Sequence, residues 1–120
     1  YRNQWAQFYT RELEQLPWLK TPFIPENYTH GWQSYVTYID ESKSPRSRND
    51  LMEYLQQHGI ATRPGTHAVH MLSFYKNKYG IKADDYPNAM RADQHSMSIP
   101  LHNLMTAEDF QYVVDIIKSA

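Results

Sequence analysis

The order of periodicities along this chain predicts an α+β fold: a two-layer sandwich, with a small, mostly antiparallel three-stranded sheet and helices on one face. Two observations carry that expectation. Helical stripes and short runs of β-branched and aromatic residues follow one another as helix, strand, helix, strand, two short helices, strand, helix. The length, 120 residues, gives room for one core and one domain covering 1–120.

Trp5, Phe8, Tyr9, Leu13 and Leu16 recur at helical spacing, which predicts an amphipathic helix over 2–16. Pro17, Pro22 and Pro25 then impose an extended connection, because proline has a fixed φ and no amide donor. The run from Trp32 to Ile39 is aromatic and β-branched and reads as a strand, followed by a polar loop from Asp40 to Arg48. A helix is expected over 48–58, with Ser47 as N-cap, Asp50 three residues on, Leu51, Tyr54 and Leu55 as its stripe, and Gly59 just past its end. Ile60 to Arg63 reads as a short strand. Helical signals resume over 71–79 (Leu72, Tyr75, Tyr79) and 87–95 (Met90, His95), the latter opened by Asp85 or Tyr86 before Pro87. Met97 to Leu101 reads as a strand, and Pro100 places it at a strand end or a sheet edge. Thr106 and Asp109 frame a capping box ahead of Phe110, Val113, Val114 and Ile117, a clear helical stripe.

Composition excludes several function classes. Hydrophobic residues at 41% and charged residues at 21% describe an ordinary globular domain. Basic and acidic side chains nearly cancel, 12 − 13 = −1, so no bulk field favours nucleic acid or an anionic membrane. No apolar run approaches the length of a membrane span and no signal peptide is recognisable. The absence of cysteine excludes disulfides and thiolate metal sites, and fits the cytoplasm. Ten tyrosines and three tryptophans are many for this length and fit a partly buried interface. The chain opens on Tyr1-Arg2-Asn3-Gln4-Trp5 already in helical periodicity, as expected of a fragment of a longer protein.

The residues from Gly59 to His70 are the densest in backbone punctuation and polar donors. Arg63 stands before Pro64-Gly65, where the backbone turns; its planar guanidinium suits either a surface ion pair or bidentate capture of a carboxylate or phosphate. His67 and His70 are spaced i, i+3, but Gly65, Thr66 and Val69 disfavour a regular helix there and no carboxylate lies nearer in sequence than Asp84. Hydrogen-bonding roles, structural or toward a ligand, are expected of both, and no metal. Asp84-Asp85 reads as a solvated pair rather than an acid–base dyad. His102, after Pro100-Leu101, either projects into a cleft or ends the loop before Thr106. There is no nucleophile elbow and no glycine-rich phosphate cradle, so the chain carries no self-contained catalytic centre.

Three segments in order resemble one family. The helix from Leu51 leading into Gly59-Ile60-Ala61-Thr62-Arg63, the strand opening His30 to Tyr38, and Ser98-Ile99-Pro100-Leu101-His102 followed by Thr106 to Asp109 and a final helix are similar to the DegT/DnrJ/EryC1/StrS aminotransferases. The resemblance spans essentially the whole chain and implies the C-terminal small domain of a fold-type-I enzyme dependent on pyridoxal 5'-phosphate (PLP). Such enzymes aminate nucleotide-linked keto sugars, here with glutamate as the expected donor, and the parent is expected to be a homodimer. The same resemblance places the Schiff-base lysine in a larger domain, since its serine-rich motif matches none of the six lysines from Lys20 to Lys118. The fragment alone is therefore expected to hold no cofactor and no catalytic residue. Arg63, His67, His70 and His102 are the expected substrate-binding residues, with the Arg63–His70 loop on the cleft between domains. His70 matches the histidine closing the family's Pro-Leu-His triplet, while Gly65 to Val69 departs from the usual aromatic and proline residues and puts His67 where an aromatic is common. The competing expectations are a stand-alone binding module and the small domain of a related PLP-dependent sugar dehydratase, which carries histidine at the lysine position.

Overall fold

A computed structural model describes all residues, 1–120. The chain forms α1 (Arg2–Leu13), β1 (Leu19–Lys20), β2 (Tyr35–Ile39), α2 (Arg48–Gln57), β3 (Arg63–Pro64), α3 (Ser73–Tyr79), α4 (Pro87–His95), β4 (Ser96–Ile99) and α5 (Ala107–Lys118), with 3-10 turns at Val69–Met71 and Ala83–Asp85. The sheet has four strands, not three, in the order β1-β2-β4-β3, and every pairing is antiparallel. The extra strand is β1, two residues inside the proline-rich connection; it pairs Leu19 with Ile39 and Lys20 with Tyr38. Two residues are too few to print an alternation on the sequence, so only the pairing reveals them.

Helix α1 stops at Leu13 rather than Leu16. Ahead of Pro17 the chain tightens, with Leu16 N–H donating to Leu13 carbonyl at 3.0 Å. Helix α2 is capped as expected, the Ser47 hydroxyl accepting from Asp50 N–H. Its end explains why the strand expected at Ile60 starts later. Gly59 takes φ +75°, and Ile60 N–H turns back to the Leu55 carbonyl at 2.9 Å, so Ile60 closes the helix and packs in the core instead of joining a ladder. Pairing begins only at Arg63, opposite Ser98.

Strand β4 starts directly after α4 and lies inside the sheet, between β2 and β3; Pro100 falls just past its end. In β2, Tyr35, Thr37 and Ile39 are buried while Val36 and Tyr38 are only partly covered, the alternation of a half-buried strand. Tyr35 and Ile39 join Met97 and Ile99 of β4 under Ala6, Tyr9 and Leu13 of α1, Leu51 and Leu55 of α2, and Phe110, Val113, Val114 and Ile117 of α5. These three helices form the expected layer on one face. The Thr106–Asp109 capping box closes both ways, Asp109 Oδ2 accepting from Thr106 N–H at 2.8 Å and Thr106 Oγ1 from Asp109 N–H at 3.3 Å.

Helices α3 and α4 bury no residue completely. The helix expected from Leu72, Tyr75 and Tyr79 forms as α3, with all three residues exposed. Periodicity reports that one side of a helix is apolar; it does not report whether anything lies against that side. The run from Trp32 is also not strand at its start. Trp32 adopts φ +46°, its N–H held by His30 Nδ1 at 2.9 Å, which turns the indole onto Tyr35 in the core.

Candidate functional site

The four residues expected to bind substrate fall into two separate places. Arg63 and His102 border one groove of about 640 Å³ at the β3 edge of the sheet, walled by Gly59 to Thr62, Ser98 to Leu101 and the first half of α5. His67 and His70 border another cavity, of about 720 Å³, among Val69, Tyr75, Tyr79, Ile81, Tyr86 and Ala89.

The first groove follows from the local sequence. The glycine turn at Gly59 reverses the chain out of α2, and the ladder then sets Arg63 opposite Ser98. Pro64 sits opposite Met97 on the edge strand, where an amide would face away from β4, and the ladder continues at Gly65, whose N–H reaches Ser96 carbonyl at 3.2 Å. On the other strand Leu101 is buried, which anchors the turn that leaves His102 exposed beside the groove. Arg63 is exposed and takes part in none of the fold's ion pairs. The acidic side chain in the groove, Asp109, is already engaged in the α5 cap, and the Tyr112 hydroxyl donates to His58 carbonyl at 3.1 Å. What remains is a free guanidinium with an imidazole on the same groove, an arrangement able to take a carboxylate or phosphate.

In the second cavity the two histidines differ. His70 is 8% exposed, with Nε2 at 3.3 Å from the Ala83 carbonyl and its ring 5.0 Å from that of Tyr86. A carbonyl can only accept, so Nε2 carries the proton and Nδ1 is left as the acceptor in the neutral ring. His70 thus ties the 3-10 turn at Val69–Met71 to the one at Ala83–Asp85. His67 is exposed, its Nδ1 3.7 Å from Asp93 Oδ1. The paired aspartates behave as expected of a solvated turn: Asp85 accepts the Lys82 amide at 2.8 Å and both carboxylates are exposed. No cluster of three histidine or carboxylate side chains with the geometry to hold a metal ion occurs in the fold.

Sequence reasoning missed how two residues pack at the start of β4, beside the loop that follows Arg63. Gly65 lies so close to the sheet that a Cβ there would overlap Val36 Cγ1 and stand 2.7 Å from Ser96 Oγ. Arg48 is 8% exposed and donates to Ser96 carbonyl at 2.8 Å. A charged residue opening a helix gives no sign in sequence that it is buried. The strongest shifts in acidity also lie elsewhere: burial raises the hydroxyls of Tyr9, far up, and of Tyr35, to about 12.

The sequence model of the DegT/DnrJ/EryC1/StrS aminotransferase family matches residues 1–118. The chain belongs to that family. Spore coat polysaccharide biosynthesis protein SpsC of Bacillus subtilis (strain 168), a member-like relative, is 32% identical over 124 residues, which cover 99% of this chain and 32% of SpsC. Among solved structures, the PLP-form of Spr1654 from Streptococcus pneumoniae superposes with a TM-score of 0.86 at 21% identity, over 98% of this chain and 30% of that one. The sugar aminotransferase CalS13 from Micromonospora echinospora gives 0.79 at 20% identity, over 98% and 29%. Both are likenesses of fold. The chain spans about a third of the length of the relatives it matches.

PLP needs an amine for its Schiff base and a cluster of donors for its phosphate. Of this domain's lysines, Lys118 pairs with Glu12 and Lys43 with Asp40, while Lys20 and Lys78 lie over aromatic rings. No lysine lines either the Arg63 groove or the histidine cavity. Neither of these two sites therefore offers the amine that the cofactor needs.

Proposed function

We propose that this chain is the C-terminal small domain of a PLP-dependent aminotransferase that transfers an amino group, with glutamate as donor, to a nucleotide-linked keto sugar. The observation that carries the reading is the family match over residues 1–118. The name of SpsC supports a role in polysaccharide biosynthesis, and the PLP-form of Spr1654 supports the cofactor. When bound, PLP supplies the electron sink for amine transfer, and the lysine that holds it belongs to the remainder of the enzyme.

In that enzyme this domain binds and orients. Arg63 grips an anionic group of the amino donor or of the nucleotide sugar, and His102 offers a hydrogen bond beside it. His67 contributes from the neighbouring lobe, where His70 acts mainly to hold the loop. A homodimeric parent is supported by the exposed aromatic residues Phe74, Tyr75, Tyr79 and Tyr86, since a lone monomer gains nothing by presenting them to water.

The test is Arg63→Ala in the full-length enzyme. KM for one of the two substrates should rise about tenfold, equivalent to about 1.4 kcal/mol of binding. An unchanged KM for both refutes the role of Arg63. The wider reading fails if the full-length protein shows no Schiff-base absorbance band that shifts when glutamate is added.

A further inference from the structure

We infer that Arg48 is a positioning residue for the Arg63 groove: through the carbonyl of Ser96 it fixes the register at which the loop after Arg63 leaves the sheet. The inference rests on the reading of Arg63 given above.

Three features of Arg48 make no sense as helix stabilisation. It is the first residue of α2, the end at which the helix dipole opposes a positive charge. Its side chain is nine-tenths buried, where an ionised group is costly unless compensated. Its guanidinium meets no carboxylate: Nε donates to Asn49 Oδ1 at 2.8 Å and an Nη to Ser96 carbonyl at 2.8 Å. The nearby carboxylate of Glu41 instead accepts the Arg48 backbone N–H, at 2.7 Å. A methionine of similar length would fill the same space with none of these costs.

What the guanidinium does gain is its grip on one oxygen. Ser96 carbonyl accepts from Arg48 and, at 3.2 Å, from Gly65 N–H. That oxygen therefore joins three segments: the start of α2, the first residue of β4 and the exit from β3. The pairing of Tyr38 with Ser96 holds β4 against β2, but the side chains at this corner add no further bonds. Ser96 Oγ and His95 Nδ1 are buried there without hydrogen-bond partners, and His95 stays 3.7 Å from Glu41, beyond hydrogen-bond distance. The Gly65–Ser96 bond is thus the last ladder contact before the loop, and a charge-assisted bond to the same carbonyl holds its acceptor in place. Release of that carbonyl frees the loop two residues from Arg63 and lets the guanidinium leave the groove.

The experiment compares Arg48→Met, which keeps the length and removes the donors, with Arg48→Lys, which keeps charge and one donor, in the full-length enzyme. Hydrogen exchange at the Gly65 amide should quicken at least tenfold in Arg48→Met, while the amides of α5 keep their protection. The lysine variant should lie between. KM for the substrate that Arg63 binds should rise about tenfold in Arg48→Met with kcat changed less than threefold. In an Arg63→Ala background the same substitution should move KM less than twofold. A general loss of stability would expose α5 as well and would add to Arg63→Ala, so either result overturns the inference, as does unchanged exchange at Gly65. If Arg63→Ala alone leaves KM unchanged, the reading of Arg63 fails separately, and the exchange at Gly65 alone decides the role of Arg48. Should Arg48→Met not fold, Arg48→Lys carries both measurements, and wild-type exchange and KM in it overturn the inference.

Discussion

Gly65→Ala measures how closely the loop that carries Arg63 is pressed on the sheet. The added methyl group would overlap Val36 Cγ1 and stand 2.7 and 2.8 Å from Ser96 Oγ and Cβ. Ser96 Oγ could rotate away, but Ser96 Cβ is fixed to the backbone of β4 and Val36 is β-branched within β2. Overpacking of this kind costs about 1–3 kcal/mol. Replacing glycine also removes freedom from the unfolded chain, which returns about 0.4–1 kcal/mol. The net is a loss of up to about 2.6 kcal/mol, centred near ~1.3 kcal/mol, or roughly 5 °C in Tm for a chain of this size. Thermal unfolding followed by circular dichroism reads it directly. Two other glycines calibrate the result. Gly31 has nothing within 4 Å of an added Cβ and an ordinary φ, so Gly31→Ala should leave Tm unchanged or raise it. Gly59 has equal room but φ +75°, so Gly59→Ala should cost roughly 1–2 kcal/mol through the backbone alone. If Gly65→Ala behaves like Gly31→Ala, the close approach is wrong, and with it the geometry assigned to the Arg63 loop.

Two further outcomes follow from the core and the caps. Tyr9 is buried, donates to Pro100 carbonyl at 2.9 Å and ionises far above its ordinary 10.0, chiefly through burial. A folded-state value above the unfolded one means stability that is fully present below pH 10 and lost as pH rises beyond it. Urea midpoints measured from pH 9 to 11 should therefore fall, and Tyr9→Phe should flatten that limb by up to about 1.4 kcal/mol per pH unit while costing about 1 kcal/mol at neutral pH. Thr106→Ala removes half of the α5 capping box and should cost about 1 kcal/mol, seen as a lower urea midpoint with an unchanged m value.

The parts of the fold that could be read ahead of the structure are those written in local chemistry. The Ser47 and Thr106 caps, the glycine exit at Gly59, Pro87 in the first turn of α4 and the stripe of α5 each depend on residues within one or two turns of each other. The misreadings have a common origin. Strand β1 exists because Leu19 and Lys20 meet Ile39 and Tyr38, about twenty residues away. Ile60 leaves the expected strand because its amide returns to the Leu55 carbonyl and its side chain joins a core built from distant segments. For the candidate site the same division holds. Arg63 stood out because of the turn residues after it, and nothing in the spacing of His67, His70 and His102 could reveal that only His102 shares its groove.

Local sequence by itself determined the caps of α2 and α5, the first turn of α4, that the chain is α+β, and that Arg63 stands at a turn. It also carried enough of the family pattern to place the chain among the DegT/DnrJ/EryC1/StrS aminotransferases, because capping, turn chemistry and periodicity act over a few residues and leave their marks side by side. Only the tertiary structure decided which strands pair, which histidines stand together, that Arg48 is buried, and that Gly65 has no room for a side chain. Those depend on separations the chain crosses only when folded, as when the Ser96 carbonyl meets Arg48 and Gly65 from two other segments at once. Burial and shared hydrogen-bond acceptors are properties of that meeting, and no single stretch of sequence contains them.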